Sequence, residues 1–201
     1  MRAWTTSRDF KFQLMSRSRG PLTSDNSKLV DELKSTIRDV HNFPKAGIVF
    51  KDVTPVLLDV TLFARAVKAM AEPYQGGRIT RVVSIESRGF LFGAPIALAL
   101  NAGLVPIRKP GKLPAATQRV EYALEYGTDA LEMHHDAVQA GDRVLIVDDV
   151  LATGGTANAA AQLVGGTGAS VVGFTFLIEL DFLKGRQRLH GRRVEALLHY
   201  A

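Results

Sequence analysis

Two adjacent carboxylates and a short run of small residues lie within residues 144–157, and their types and spacing suit the binding of a sugar phosphate. Asp148 and Asp149 follow an apolar β-branched run, and they can accept hydrogen bonds from the vicinal hydroxyls of a ribose. Residues 153–156, Thr-Gly-Gly-Thr, free their backbone N–H groups to close on a phosphate. The alanine-rich residues 157–164 predict a helix whose positive end would face that phosphate. The stretch therefore predicts a site for ribose 5-phosphate.

A purely structural interpretation of these residues stays open when they are taken alone. Gly-Gly is common as a simple connection between a strand and a helix, and Asp-Asp at a strand end is often a solvated turn. The stretch also lacks the Gly-Lys-Ser/Thr of a P-loop and the G-x-G-x-x-G of a dinucleotide-binding loop. The combination of strand, acid pair, small-residue loop and helix is nevertheless far more specific than a glycine-rich loop.

Alternating strand and helix patterns must position these residues. Residues 81–85, 103–107 and 144–147 are apolar runs of the buried-strand type, and helical patterns over residues 90–101 and 157–164 separate or follow them. Repeats of this length predict βαβ units and a parallel sheet. The expected fold class is therefore α/β, with an open, twisted, mainly parallel sheet flanked by helices.

The rest of the chain predicts a single domain over residues 26–201, preceded by a disordered basic extension over residues 1–25. Residues 42–52 predict a turn and a short strand. The other predicted elements are helices over 27–40, 61–71 and 180–189, and strands over 171–178 and 194–199.

Two further polar loops follow predicted strands. Residues 86–89 read Glu-Ser-Arg-Gly, and residues 108–112 read Arg-Lys-Pro-Gly-Lys. Ligands bind at the carboxyl ends of strands in open α/β sheets, and cations there could neutralise a diphosphate. Residues 110–132 form a long excursion with a hairpin tendency, which indicates a flexible lid that could exclude water.

Composition excludes several classes of protein. The 201 residues are 46% hydrophobic and 22% charged, as is usual for a globular domain, and no apolar run approaches the roughly 18–20 residues of a membrane span. The chain has no cysteine, which excludes disulfides and thiolate nucleophiles and is compatible with the predicted cytoplasmic location.

The net charge of +5 is concentrated at the start of the chain. Residues 1–20 hold five basic residues and one acidic residue, a net of +4, which leaves +1 for the remainder. The body of the chain therefore gives little support to a nucleic-acid surface. The basic start could be a tail, a transit peptide or an extension upstream of a start at Met15.

The acid pair and the loop that follows it resemble the phosphoribosyl-diphosphate motif of the type I phosphoribosyltransferases. Further segments resemble the members of that family that use adenine, and the resemblance extends over residues 43–200. These segments are Phe-Pro-x-x-Gly-Ile-Val-Phe-x-Asp at 43–52, Glu-Ser-Arg-Gly-Phe-Leu-Phe-Gly at 86–93, Ile-Arg-Lys-x-Gly-Lys-Leu-Pro at 107–114 and Leu-Glu-Tyr-Gly at 124–127. The resemblance implies a sheet with a small hood and a lid, and transfer of a phosphoribosyl group to N9 of adenine.

Roles for individual residues follow from the resemblance, position by position. Ribose hydroxyls would be bound by Asp148 and Asp149, and the 5-phosphate by Ala152, Thr153, Gly154, Gly155 and Thr156. The diphosphate would contact Ser87, Arg88, Arg108, Lys109, Lys112 and Tyr126. Adenine would lie among Val49, Phe50, Arg88 and Val150. The residues implied in catalysis are Glu125, Arg88, Asp148 and Asp149.

The resemblance also implies Mg²⁺, carried by phosphoribosyl diphosphate near the acid pair without a predicted direct protein ligand, and a homodimer. It implies neither a nucleic-acid nor a membrane partner. Lys51 and Val150 depart from the family pattern, where Arg and Leu are frequent, but both keep the chemical type. Two alternatives stay open: a phosphoribosyltransferase for another purine, and a non-catalytic regulator that senses phosphoribosyl diphosphate and binds nucleic acid.

Overall fold

The computed structural model describes residues 24–123 and 127–201. Its α-helices are α1 (Ser24–Thr36), α2 (Thr54–Leu58), α3 (Val60–Ala71), α4 (Gly89–Ala99) and α5 (Gly155–Gly165). Its strands are β1 (Arg38–His41), β2 (Val49–Asp52), β3 (Arg81–Ile85), β4 (Gly103–Ile107), β5 (Thr117–Ala123), β6 (Thr128–His134), β7 (Arg143–Leu151), β8 (Ser170–Leu180) and β9 (Val194–Tyr200). Short 3₁₀ helices cover Glu72–Tyr74, Asp181–Leu183 and Gly185–Leu189.

Five strands form the central sheet in the order β4-β3-β7-β8-β9, and every neighbouring pair is parallel. Successive residues of a strand face opposite sides, so β7 contributes to two separate cores. Leu145 and Val147 pack with α1, α3 and α4, whereas Val144 and Ile146 pack with α5 and the hairpin β5–β6. The predicted α/β class with a mainly parallel sheet is confirmed.

Two antiparallel pairs flank this sheet. The pair β1–β2 carries Val49 and Phe50 and corresponds to the hood, and the pair β5–β6 joins residues 117–123 to residues 128–134. The hairpin tendency predicted for residues 110–132 is therefore confirmed, although the predicted lid residues 124–126 lie outside the described part of the chain. The predicted N-terminal extension also lies outside it, except for its last two residues, which begin α1.

Three predicted boundaries were wrong. Strand β7 does not stop at the acid pair, because the ladder with β8 continues through Val150 and Leu151. The first helix ends at Thr36, and the residues after it pair with β2 as strand β1 instead of continuing the helix to residue 40. The helix predicted over residues 180–189 is two 3₁₀ helices, because Lys184 between them has a left-handed backbone with φ of 54°.

Helix α2 was not predicted at all. Asp52 accepts hydrogen bonds from the backbone N–H and the hydroxyl of Thr54, and Pro55 follows at the start of the helix. Among the described residues, no helix is both long and apolar enough to cross a membrane.

Candidate active site

A cavity of about 540 Å³ opens at the carboxyl ends of β3 and β7, under the hood. Most of the residues to which the sequence assigned a binding role line it together. These are Val49, Phe50, Ser87, Arg88, Lys109, Asp148, Asp149, Val150, Ala152 and Thr156. Segments more than a hundred residues apart in the chain thus meet where ligands bind in open α/β sheets.

The acid pair lies inside β7 and faces this cavity. Asp149 is 4% exposed, and its backbone N–H donates to Oδ1 of Asp148 over 2.9 Å. Nε of Arg88 lies 2.6 Å from Oδ2 of Asp149. That buried oxygen nevertheless accepts no aligned hydrogen bond from the described residues, so its contact with Arg88 is an ion pair only.

Burial raises the pKa of both carboxyls, and it raises that of Asp148 most. The charge of Asp149 raises the pKa of Asp148 further, while the guanidinium of Arg88 acts in the opposite direction on both. Two carboxylates this close are costly to ionise together in a dry site. Hydrogen bonds from a diol to the ionised form would offset that cost.

Arg88 also contacts the hood. Its guanidinium carbon lies 4.7 Å from the centre of the Phe50 ring, within the range of a cation–π contact. Arg88 therefore joins the apolar wall of the cavity to Asp149. The peptide bond between Glu86 and Ser87, which leads into this loop, is cis.

Residues 152–156, here called the phosphate loop, surround a second, smaller cavity of about 80 Å³ next to Asp148. Gly154 precedes α5 with φ of 78°, a left-handed conformation that glycine adopts without steric cost. The loop is also in close backbone contact with Gly185, since a Cβ on Gly154 would lie 2.4 Å from the Gly185 carbonyl oxygen. Only glycine at both positions permits this approach.

The cations of residues 108–112 lie around an acid whose anchoring role the sequence did not indicate. Nε of Arg108 and Nζ of Lys112 lie 2.8 and 3.0 Å from the two carboxylate oxygens of Glu86. Burial alone would raise the pKa of Glu86, but these two hydrogen bonds and the backbone N–H of Lys109 outweigh it and hold that pKa below its ordinary value. Arg108 and Lys112 are not among the residues that line the cavity, and they contact it through Glu86, which does line it.

The hairpin β5–β6 closes the cavity on the side of the phosphate loop. Tyr122 donates its hydroxyl hydrogen to Asp129 over 3.2 Å, and the Thr156 hydroxyl lies 3.4 Å from the same Tyr122 oxygen. Lys109 makes an ion pair with Asp129. The sequence patterns did not indicate a role for Tyr122 or Asp129, and only the hairpin register that places them opposite each other could have done so. Glu125 and Tyr126 lie outside the described residues.

The other wall of the cavity is apolar. Val49, Phe50 and Val150 line it with Ile48 and Leu180. Phe50 is fixed edge-to-face against Phe43, with ring centres 5.1 Å apart. A slot with apolar faces and backbone groups at its edge suits a flat heterocycle.

Comparison with known proteins agrees with this geometry. The family model described as "Phosphoribosyl transferase domain" matches residues 57–193. A curated relative, the adenine phosphoribosyltransferase of Myxococcus xanthus, is 58% identical over 175 residues, which cover 87% of this chain and 95% of that protein.

Two solved structures are also similar. That of the adenine phosphoribosyltransferase of Rhodothermus marinus is 52% identical with a TM-score of 0.84, and the match covers 87% of this chain and 99% of that one. The enzyme of Saccharomyces cerevisiae, solved with D-2,5-dideoxy-2,5-imino-altritol 1,6-bisphosphate and adenine, is 42% identical with a TM-score of 0.81. That match covers 86% of this chain and 99% of the yeast chain.

Proposed function

The chain belongs to the adenine phosphoribosyltransferases of the phosphoribosyl transferase domain family, and on that premise we propose that it makes AMP from adenine and phosphoribosyl diphosphate. The reaction transfers the 5-phosphoribosyl group to N9 of adenine and releases diphosphate, a step of purine salvage. One observation carries the proposal: two adjoining cavities place the phosphate loop, the acid pair and the apolar slot in the order in which phosphate, ribose and base would follow one another.

Asp148 and Asp149 bind the vicinal ribose hydroxyls, and their position in the lining of the main cavity supports this role. The phosphate loop and the start of α5 hold the 5-phosphate by backbone N–H groups. Val49, Phe50 and Val150 enclose adenine, whose edge has no 6-oxo group for a cationic side chain to bind. The order of these contacts directs C1 of the ribose toward N9.

In the reaction, the bond from C1 to the diphosphate oxygen breaks, and its electron pair leaves with the diphosphate. The N9–C1 bond forms from the lone pair of N9, and the N9 proton passes to a base, a role that the resemblance gives to Glu125. Arg88 and Lys109 line the cavity and place positive charge where the leaving group gains negative charge. No side chain of the protein has to act as nucleophile.

The acid pair also fits Mg²⁺ carried by the donor. Mg²⁺ prefers oxygen ligands and keeps part of its own shell of water, and two carboxylates in the cavity lining suit such an ion near the ribose hydroxyls. When bound, the ion offsets charge on the leaving diphosphate. Asp148 and Asp149 would orient the hydroxyls that share it.

We also propose that the enzyme is a homodimer. The edge strand β4 and helix α4 expose Leu104, Leu91 and Leu98, of which Leu98 is 83% exposed. A second copy could cover this apolar surface. Light scattering would test the mass in solution, and a monomer at micromolar concentration would contradict this proposal. The cytoplasmic location and the lack of a nucleic-acid partner stay predictions.

The test of function is an assay for AMP with purified protein, adenine and phosphoribosyl diphosphate, with and without Mg²⁺. We expect AMP and diphosphate in equal amounts, and loss of activity when Mg²⁺ is chelated. Hypoxanthine, guanine and xanthine at the same donor concentration serve as competitors. Higher kcat/KM with one of them would favour another purine enzyme, while no turnover together with salt-dependent RNA binding would favour the regulator.

A further inference from the structure

The segment that follows β8 is fixed against the phosphate loop. Arg186 pairs with buried Glu179 through two contacts, from Nε to Oε1 over 3.0 Å and from Nη2 to Oε2 over 2.5 Å. Its Nη1 also donates to the carbonyl oxygen of Val194 over 2.7 Å. Next to it, the backbone of Gly185 lies so near the loop that a Cβ there would be 2.0 Å from the carbonyl oxygen of Ala152.

These contacts bring the side chain of Arg188 to the start of α5. A Cβ placed on Gly155 would lie 3.5 Å from Nη1 of Arg188, and a Cβ placed on Gly154 would lie 3.3 Å from the Cβ of Arg188. The guanidinium is therefore next to the backbone N–H groups that form the phosphate loop.

Arg188 has no acidic partner in residues 24–123 and 127–201, in contrast to the nearby Arg186 and Arg193. Arg186 is paired with Glu179 and Arg193 with Glu195, and Arg192 donates to the side chain of Asn158. For Arg188, the described part of the chain provides neither an ion pair nor a hydrogen bond to the side chain.

The phosphate loop has no cation of its own. Residues 152–156 include no basic residue, so backbone N–H groups and hydroxyls alone would face a phosphate that carries close to two negative charges. Of the cations that line the main cavity, Arg88 already pairs with Asp149 and Lys109 with Asp129. A guanidinium presents a planar fork of donors that matches phosphate oxygens.

We propose that Arg188 binds the 5-phosphate of phosphoribosyl diphosphate and of AMP, and so supplies the positive charge that the loop lacks. The inference rests on the proposed function, because it takes that phosphate to be the ligand of the loop. Arg188 is exposed, so its contribution is modest compared with that of a buried arginine.

The test compares Arg188→Gln, Arg188→Lys and the control Arg192→Gln, which removes a neighbouring exposed charge that contacts α5 away from the loop. Calorimetry with AMP, adenine and inorganic diphosphate separates the three subsites. We expect Arg188→Gln to weaken AMP binding by roughly three- to tenfold with adenine and diphosphate binding unchanged. Arg188→Lys should retain most of the affinity, and Arg192→Gln should match the wild type.

Two results would overturn the role of Arg188: equal AMP affinity in Arg188→Gln and the wild type, or an equal loss in Arg192→Gln, which would indicate a general charge effect. Melting temperatures of all variants check that the fold is kept. A wild-type protein that neither binds nor forms AMP would refute the proposed function instead, so the two failures are distinguishable.

Discussion

Replacing Gly185 by alanine tests whether the phosphate loop depends on a backbone contact far from it in sequence. Gly185 has no assigned ligand contact, and it begins the 3₁₀ helix Gly185–Leu189. An added Cβ would lie 2.0 Å from the carbonyl oxygen of Ala152 and 3.0 Å from the backbone nitrogen of Gly154. Both neighbours are backbone atoms, so no side-chain rotation can relieve the clash.

The size of the effect follows from that distance. Real Cβ atoms essentially never come within 3.0 Å of another heavy atom, so loop and helix must separate by about 1 Å. A displacement of ~1 Å at a positioned substrate can cost ~100-fold in rate. Overpacking of this kind typically costs about 1–3 kcal/mol of stability, which for a chain of this size corresponds to a fall in Tm of roughly 2–12 °C.

The assay measures kcat/KM for phosphoribosyl diphosphate at saturating adenine, together with Tm. The matched control is Gly165→Ala at the end of α5, where an added Cβ meets nothing within 4 Å. We expect the control to keep its activity and its Tm, with a slight gain in stability because alanine favours the helix. A folded Gly185→Ala protein with wild-type kcat/KM would refute the claim that this contact positions the loop.

Three further substitutions probe other parts of the site. Asp148→Asn should raise Tm at neutral pH while lowering kcat/KM more than about tenfold. Burial raises the pKa of Asp148 in the folded wild type, so ionisation of this carboxyl at neutral pH favours the unfolded chain, and asparagine removes that cost. The gain in Tm should therefore shrink as the pH falls through the raised pKa and the wild-type carboxyl becomes protonated. An equal gain at every pH would contradict this linkage. Phe50→Ala should raise the KM for adenine by about tenfold or more through lost stacking, and it should change the KM for phosphoribosyl diphosphate less. An unchanged KM for adenine would show that Phe50 does not contact the base. Tyr122→Phe should raise the donor KM about two- to tenfold by removing the hydroxyl between Thr156 and Asp129, whereas a change confined to adenine would contradict that placement.

The sequence was sufficient to predict the bounds of an element where its local apolar pattern coincides with the part of the chain that is buried. Strands β3 and β4 have their predicted bounds because β-branched and apolar runs ended at polar loops, and the loops themselves met as expected. The end of β7 was missed because two acids interrupt its apolar run, yet the ladder with β8 carries the backbone past them.

Contacts between segments that are distant in the chain could not be predicted from sequence patterns. The role of Glu86 as an anchor depends on two cations more than twenty residues away. The approach of Gly185 to the phosphate loop depends on how β8 ends beside β7. A single glycine in the sequence does not indicate which backbone atoms will lie against it. Such contacts arise from packing and not from the period of any one element.

In the ligand-free protein the cations of this site already have ionic partners, because each of them contacts a carboxylate of the same chain. These cations are Arg88, Arg108, Lys109 and Lys112. A diphosphate bound as proposed would therefore exchange partners with internal anions instead of meeting cations solvated by water alone. The affinity that results is a difference between two sets of ion pairs. The same internal anions would take the cations back when diphosphate leaves, so ligand-free and product-released states would share these ion pairs.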